Sequence, residues 1–178
     1  MEDAKLLDEA GRLAALRSQN ILDTPPEVPF ERITSLLRTV LAVPMTAVTL
    51  IDADRQFLKS RQGIDGTETT REVSFCTHTI KSHEPMIVTN AADDPRFAAN
   101  PLVTGAPHIG SYAGVPLKTP DGYNIGALCA IDTKPRQFTS EEIELLKSFG
   151  QLVMGELRLR HIAEQDGLTG ALVRRSFI

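Results

Sequence analysis

The stretch that most restricts how this chain can fold runs from Thr139 to Gln165 and contains no proline. It opens with Thr139-Ser-Glu-Glu142, a capping box in which the threonine hydroxyl takes the amide proton of the fourth residue while Glu142 reaches back to the threonine amide. A long helix is predicted to start here. Its apolar residues fall into two rows, Ile143, Leu146, Val153 and Leu157 in one, and Leu145, Phe149, Leu152 and Leu159 in the other. Two rows call for two packing partners, one within the domain and one across a dimer axis. Gly150 and Gly155 weaken the middle of the helix or admit a close neighbour. The helix then leads into Asp166-Gly-Leu-Thr-Gly-Ala-Leu-Val-Arg-Arg-Ser-Phe177, and the sequence reads as cut one residue later.

A chain of 178 residues with 42% hydrophobic content suits one globular domain with helical extensions. A net charge of -4, with basic residues scattered, gives no footprint for a nucleic acid. No apolar run approaches the ~20 residues of a membrane span, and Met1 to Lys5 lacks the start of a signal peptide. The expectation is a cytoplasmic protein without nucleic-acid or membrane partners. Its two cysteines, Cys76 and Cys129, are then reduced thiols outside any zinc framework.

Residues 3–19 read as an amphipathic helix with Leu6, Leu7, Ala10, Leu13, Ala14 and Leu16 on one face, lying against the Thr139 helix of its own or a neighbouring chain. Pro25 and Pro26 end that segment, and a second helix follows from about Phe30 to Leu41, with Phe30, Ile33, Leu37 and Val40 inward. From Met45 the period changes to two. Met45 to Ile51 reads as a buried strand, Gln56 to Arg61 as its antiparallel partner, and Gly63 to Arg71 as polar loop. Ser74 caps a short helix from Phe75 to about Ser82, and Met86 to Val88 is a short strand. Asn90 to Gly110 is rich in turn residues yet carries Phe97, Leu102 and Val103, the composition of a binding lid. Ser111 to Leu117 and Tyr123 to Ile131 are strands joined around Pro120-Asp-Gly122. The predicted class is α+β: a central antiparallel sheet of about five strands, a helical layer on one face, and a short helix with lid loops on the other.

Val73-Ser-Phe-Cys-Thr-His-Thr-Ile80, Asp94-Pro-Arg-Phe-Ala-Ala-Asn-Pro101, Tyr112-Ala-Gly-Val-Pro-Leu117 and Asn124-Ile-Gly-Ala-Leu-Cys-Ala-Ile-Asp132 occur in the order and spacing of a known family. Over residues 20–160 the chain resembles a GAF domain of the kind found in bacterial sensor kinases and diguanylate cyclases. That resemblance implies a PAS-like sheet of five to six strands whose outer face and lid enclose a small molecule. Asp166-Gly-Leu-Thr-Gly170 with Arg174-Arg175 resembles the opening of a GGDEF domain, departing from it at Ala171, Leu172 and Val173. The implied organisation is a signalling helix over 1–19, the GAF core over 20–138, a linking helix over 139–165, and the start of a GGDEF domain over 166–178. The catalytic parts of a cyclase would lie past Ile178, so the chain itself is not expected to be an enzyme. Its implied role is to control a C-terminal diguanylate cyclase in cyclic di-GMP signalling.

The candidate pocket combines Cys76 and Thr79, the lid residues Asp94, Arg96, Phe97 and His108, and the strand residues Tyr112 and Cys129. Apolar bodies with a few polar tips are how small-molecule sites are built, and His108 and Tyr112 fit that description best. Structural roles are open to the same residues: Asp94 capping a turn, Arg96 pairing with an acid, Phe97 filling the core. No cofactor, metal or catalytic group is assigned, and the ligand is unknown. Cys76 and His78, two apart on a helix, point about 200° away from each other and are poor metal partners. Bilin attachment ordinarily has histidine directly after the cysteine, where this chain has Thr77. Three readings remain: a ligand-binding homodimeric sensor joined through its N- and C-terminal helices, a dimerisation scaffold with a filled pocket, and a thiol-dependent enzyme such as a free methionine sulfoxide reductase.

Overall fold

The computed structural model describes residues 3–177, giving side-chain positions through Gln165. A six-stranded antiparallel sheet divides the domain into two apolar cores. Its strands are β1 (Met45–Ile51), β2 (Arg55–Gln62), β3 (Glu68–Thr70), β4 (Met86–Val88), β5 (Ser111–Lys118) and β6 (Asn124–Asp132), in the spatial order β3-β2-β1-β6-β5-β4. The third of these, β3, falls inside the stretch expected to be loop, where Thr70, Thr69 and Glu68 pair with Arg55, Gln56 and Phe57. Central β1 and β6 are almost wholly buried, because the sheet is covered on both sides.

One face carries α2 (Glu9–Ser18), α3 (Val28–Leu41) and α6 (Ser140–Phe177), packed through Leu16, Phe30, Leu37, Leu146, Val153 and Leu157. The capping box forms as predicted: the Thr139 amide donates to Glu142 Oε1 at 2.9 Å, and the Glu142 amide donates to Thr139 Oγ1 at 3.1 Å. Arg136 holds the start of α6 to α3 by pairing with Glu142 and donating to the Leu41 carbonyl at 2.7 Å. The backbone of α6 continues helical through the Asp166-Gly-Leu-Thr-Gly170 segment, whose side chains lie outside the described residues.

The N-terminal helix departs from expectation in three ways. It is broken at Asp8 into α1 (Ala4–Leu7) and α2, since the Asp8 side chain accepts from the Gly11 amide and so caps a new start. Leu7, Ala10 and Ala14 are exposed, while Arg12, Ala15 and Leu16 turn inward. Nor does it lie along α6; its side chains seat it on the end of the sheet. Arg12 donates to the Ile51 carbonyl at 2.7 Å, and Tyr123 donates to Asp8 at 2.6 Å. Gly11 permits this docking, because a Cβ there would stand 2.3 Å from the Tyr123 hydroxyl. On α3, Val40 is exposed and Thr34 takes the inward place, bonded to Ser60 at 2.7 Å.

The opposite face carries α4 (Cys76–Thr79), a 3-10 turn at Ala91–Asp93 and α5 (Pro101–Thr104). Ser74 Oγ accepts from the Thr77 amide at 3.2 Å, as expected of a cap, although α4 is shorter than predicted. No helix among the described residues is long and apolar enough to cross a membrane.

Candidate functional site

Strand periodicity places Met45, Ala47 and Thr49 of β1, Gln56 and Leu58 of β2, Tyr112 of β5, and Cys129 and Ile131 of β6 on the face away from the long helices. Phe75 and Cys76 close over them from the α4 turn, and the lid supplies Leu102, Pro107 and Ile109. Between these walls is a cavity of about 320 Å³, at the small end of the size range of small-molecule sites. The lining residues that are exposed are Gly63 and Asp65 of the β2–β3 turn and Ala106 and Pro107 of the lid, which puts the mouth between turn and lid.

At the inner end, the buried Tyr112 hydroxyl lies 2.7 Å from Thr79 Oγ1 and 3.1 Å from Cys76 Sγ. The Tyr112 ring lies along its own strand over Gly114, where a Cβ would meet the hydroxyl at 2.2 Å. Burial first, and then the neighbouring thiols, push the Tyr112 hydroxyl well above its ordinary value, so it remains a proton donor. Hydrogen bonding to Cys76 and burial likewise raise the Cys129 thiol. Burial opposes ionisation of Cys76 too, but hydrogen bonding from Cys129, Thr49 and Tyr112 outweighs it, making Cys76 the more acidic thiol of the two.

Of the residues singled out in the sequence, Cys76, Tyr112 and Cys129 line the cavity, and Thr79 stands directly behind through its bond to Tyr112. Phe97 is fully buried but one layer out, stacked on Phe75 with ring centroids 4.0 Å apart. Asp94, Arg96 and His108 do not reach the cavity. Asp94 accepts from the Arg96 amide at 2.9 Å and pairs with its guanidinium at 2.8 Å, while that guanidinium covers the outer face of Phe97 at 5.0 Å. Hydrogen bonding from Arg96 holds the Asp94 carboxyl below its ordinary value. His108 is exposed on the lid although its neighbours Pro107 and Ile109 face inward.

Sequence reasoning passed over Gln56, Thr69 and Thr49. Gln56 is buried, accepts from Ser74 at 2.7 Å and donates to Thr69 at 3.1 Å, tying the α4 turn to β2 and β3. A glutamine in step with Leu58 on a buried strand was the available signal. Among the described residues no group of three His, Cys, Asp or Glu side chains is placed to share a metal ion.

With this geometry in view, the comparisons with known proteins are specific. The sequence profile of the GAF domain matches residues 25–157. A cyclic di-GMP phosphodiesterase of Pseudomonas aeruginosa is 34% identical over 170 residues, covering 93% of this chain. The chain spans only 29% of that relative's length. The GAF domain of a phosphoenolpyruvate-protein phosphotransferase from Acinetobacter superposes with a TM-score of 0.61 at 15% identity, over 93% of this chain and 99% of that one. The free methionine-R-sulfoxide reductase of Neisseria meningitidis, solved with its substrate, gives a TM-score of 0.61 at 19% identity, over 94% and 95% of the two chains. At such identities the structural likeness is one of fold.

Proposed function

This chain belongs to the GAF domain family, and on that premise we propose that it is the small-molecule-sensing module of a longer protein that turns over cyclic di-GMP. The observation that carries the proposal is the cavity itself: about 320 Å³, mostly apolar, and walled on one side by the same sheet whose other face bears α3 and α6. A ligand under the lid touches β1, β2 and β6 directly, and α6 leads away from that sheet towards whatever follows. Because a ligand shifts an equilibrium only by its differential affinity for two states, the reading requires two seatings of α6 on the sheet.

The link to cyclic di-GMP comes from the Pseudomonas aeruginosa relative, itself a phosphodiesterase. The segment from Asp166 to Arg175 supports a cyclase as the attached output, and the relative supports a phosphodiesterase. Assaying the parent protein for cyclic di-GMP formed from GTP, and for linear dinucleotide formed from cyclic di-GMP, separates them. The homodimer belongs to the same proposal, carried by α3 and α6, whose Leu36, Val40, Leu152 and Leu159 are half or more exposed.

Native mass spectrometry of the purified chain tests the sensing role. The wild type is expected to retain or take up a small molecule that the cavity-filling variants Ala47→Phe and Leu102→Trp do not. In the parent protein, the same substitutions should fix cyclic di-GMP turnover at one level. An unoccupied wild type, together with turnover indifferent to both fillings, would leave a scaffold without a sensor. Loss of any activity on Cys76→Ser and Cys129→Ser, with binding intact, would instead favour thiol chemistry.

A further inference from the structure

The lining of the cavity restricts the charge of what it admits. Its polar side chains are engaged with the protein: Gln56 with Ser74 and Thr69, Tyr112 with Cys76 and Thr79, and Thr49 with the Ala127 carbonyl. No lysine, arginine or histidine lines the cavity among the described residues. A carboxylate or phosphate lodged inside would lose its water and meet no counter-charge, a cost such groups escape by staying out or by taking up a proton.

One charged residue lines the space, and it is Asp65, at the mouth on the β2–β3 turn. It is exposed and has no ion pair or side-chain hydrogen bond among the described residues. This sets it apart from Asp23, Asp52 and Asp94, each of which is paired with an arginine. The polarity therefore runs from apolar walls inside to an exposed, unpaired acidic residue at the rim. A long body with a cationic end suits that gradient, because the apolar part is buried while the charge stays at the water boundary.

We propose that the ligand of this cavity is a small amine, its apolar body packed between the sheet, Phe75 and the lid, and its ammonium group held at the mouth by Asp65. The assignment rests on the sensing role proposed above. It makes Asp65 the residue that sets specificity and excludes anionic metabolites, cyclic nucleotides among them.

Three probes of matched shape test it by titration calorimetry on the purified chain at pH 7 and low salt: 2-phenylethylamine, 2-phenylethanol and 3-phenylpropionate. The amine is expected to bind most tightly, with the alcohol about fivefold weaker, the value of one solvent-exposed ion pair. The carboxylate should be weaker than the alcohol by at least ~10-fold, for want of a counter-charge. Asp65→Asn should lower the amine to the affinity of the alcohol and leave the alcohol unchanged, because the near-isosteric change at an exposed residue without a side-chain hydrogen bond or ion pair among the described residues removes only the charge. Ala47→Phe and Leu102→Trp should each abolish binding of amine and alcohol. If amine and carboxylate bind alike, or if Asp65→Asn leaves their order unchanged, the amine assignment is overturned while the cavity stands as a small-molecule site. If none of the three binds, the assignment falls and native mass spectrometry alone decides the sensing role. Binding that survives both fillings lies outside the cavity and overturns the assignment as well.

Discussion

Tyr112 shows how one side chain sets the inner end of the pocket. Its hydroxyl joins Cys76 at 3.1 Å and Thr79 at 2.7 Å, both on α4, to β5, the strand next to the sheet edge. Removing that hydroxyl takes a buried hydrogen-bond partner from Thr79 and one of three from Cys76, at a cost of about 1–3 kcal/mol. Tyr112→Phe should therefore lower stability by about 2 kcal/mol in urea denaturation, with no change in the secondary structure seen by circular dichroism. The tyrosine and Cys129 were legible in the sequence because strand alternation fixes which way each points. Asp94 and Arg96 were not, because their bonds are local. An Asp-Pro-Arg turn satisfies itself in either orientation, and only the seating of Phe97 against Phe75 turns the ion pair outward. His108 was misread for a related reason: its neighbours on the lid face inward, but its own backbone has φ 60°, which carries its side chain to the surface.

Among the elements, β2 carries the least expected feature. Its register against β1 slips between Val48 and Thr49, so that Leu58 and Ser60 are paired and Lys59 is the extra residue. Lys59 keeps the period of two from Phe57 and stays on the helical side, while the bulge turns Ser60 to that side as well, against Thr34. The buried Lys59 ammonium donates to Thr24 at 2.7 Å, the Pro25 carbonyl at 2.6 Å and Glu27 at 2.5 Å. Arg160 of α6 grips the same Glu27 at 2.9 Å. This latch joins a strand of the cavity wall to α6. Removing one partner of a buried pair costs ~3–5 kcal/mol, and the partial exposure of Glu27 lowers the expected loss for Glu27→Gln to about 2 kcal/mol. Burial disfavours the Glu27 charge, but hydrogen bonds from Lys59 and Arg160 outweigh it and hold the group below its ordinary 4.5. A depressed carboxylate stabilises above its unfolded value and stops doing so as pH falls through its folded value. Urea midpoints of wild type and Glu27→Gln should therefore differ most at pH 7 and converge as pH drops below 4.5. On α6 the two glycines should behave in opposite ways. A Cβ at Gly150 would stand 2.9 Å from Val115 Cγ2, whereas at Gly155 nothing lies within 4 Å. Gly155→Ala should raise the melting temperature by the equivalent of roughly 1 kcal/mol, and Gly150→Ala should lower it. Periods, capping box and lid were readable from residue order; the bulge, the Asp8 break and the three-residue β3 were not, because each depends on partners distant in sequence.

For the whole molecule, the sheet is a partition with a cavity on one side and a helical face on the other. That helical face is not finished. Leu36 and Val40 of α3 are 53% and 50% exposed, and Leu152 and Leu159 of α6 are 53% and 60% exposed. The spacing of each pair, one turn on α3 and two on α6, lines them up along adjoining helices. The second apolar row read from the sequence is thus half committed to the domain, through Leu145 and Phe149, and half presented outward. Burying such leucines is worth about 1.5–3 kcal/mol apiece, and a twin copy related by a two-fold axis offers each row its own match. Light scattering on the purified chain is therefore expected to give twice 19.5 kDa. Leu152→Glu combined with Leu36→Glu should give a single 19.5 kDa species that is folded and still binds the cavity ligand, because both side chains are 53% exposed and neither lines the cavity. A double variant that stays dimeric would place the contact elsewhere on the surface. A wild type that is already monomeric would deprive α6 of the partner against which a change of seating on the sheet could be passed to an output domain.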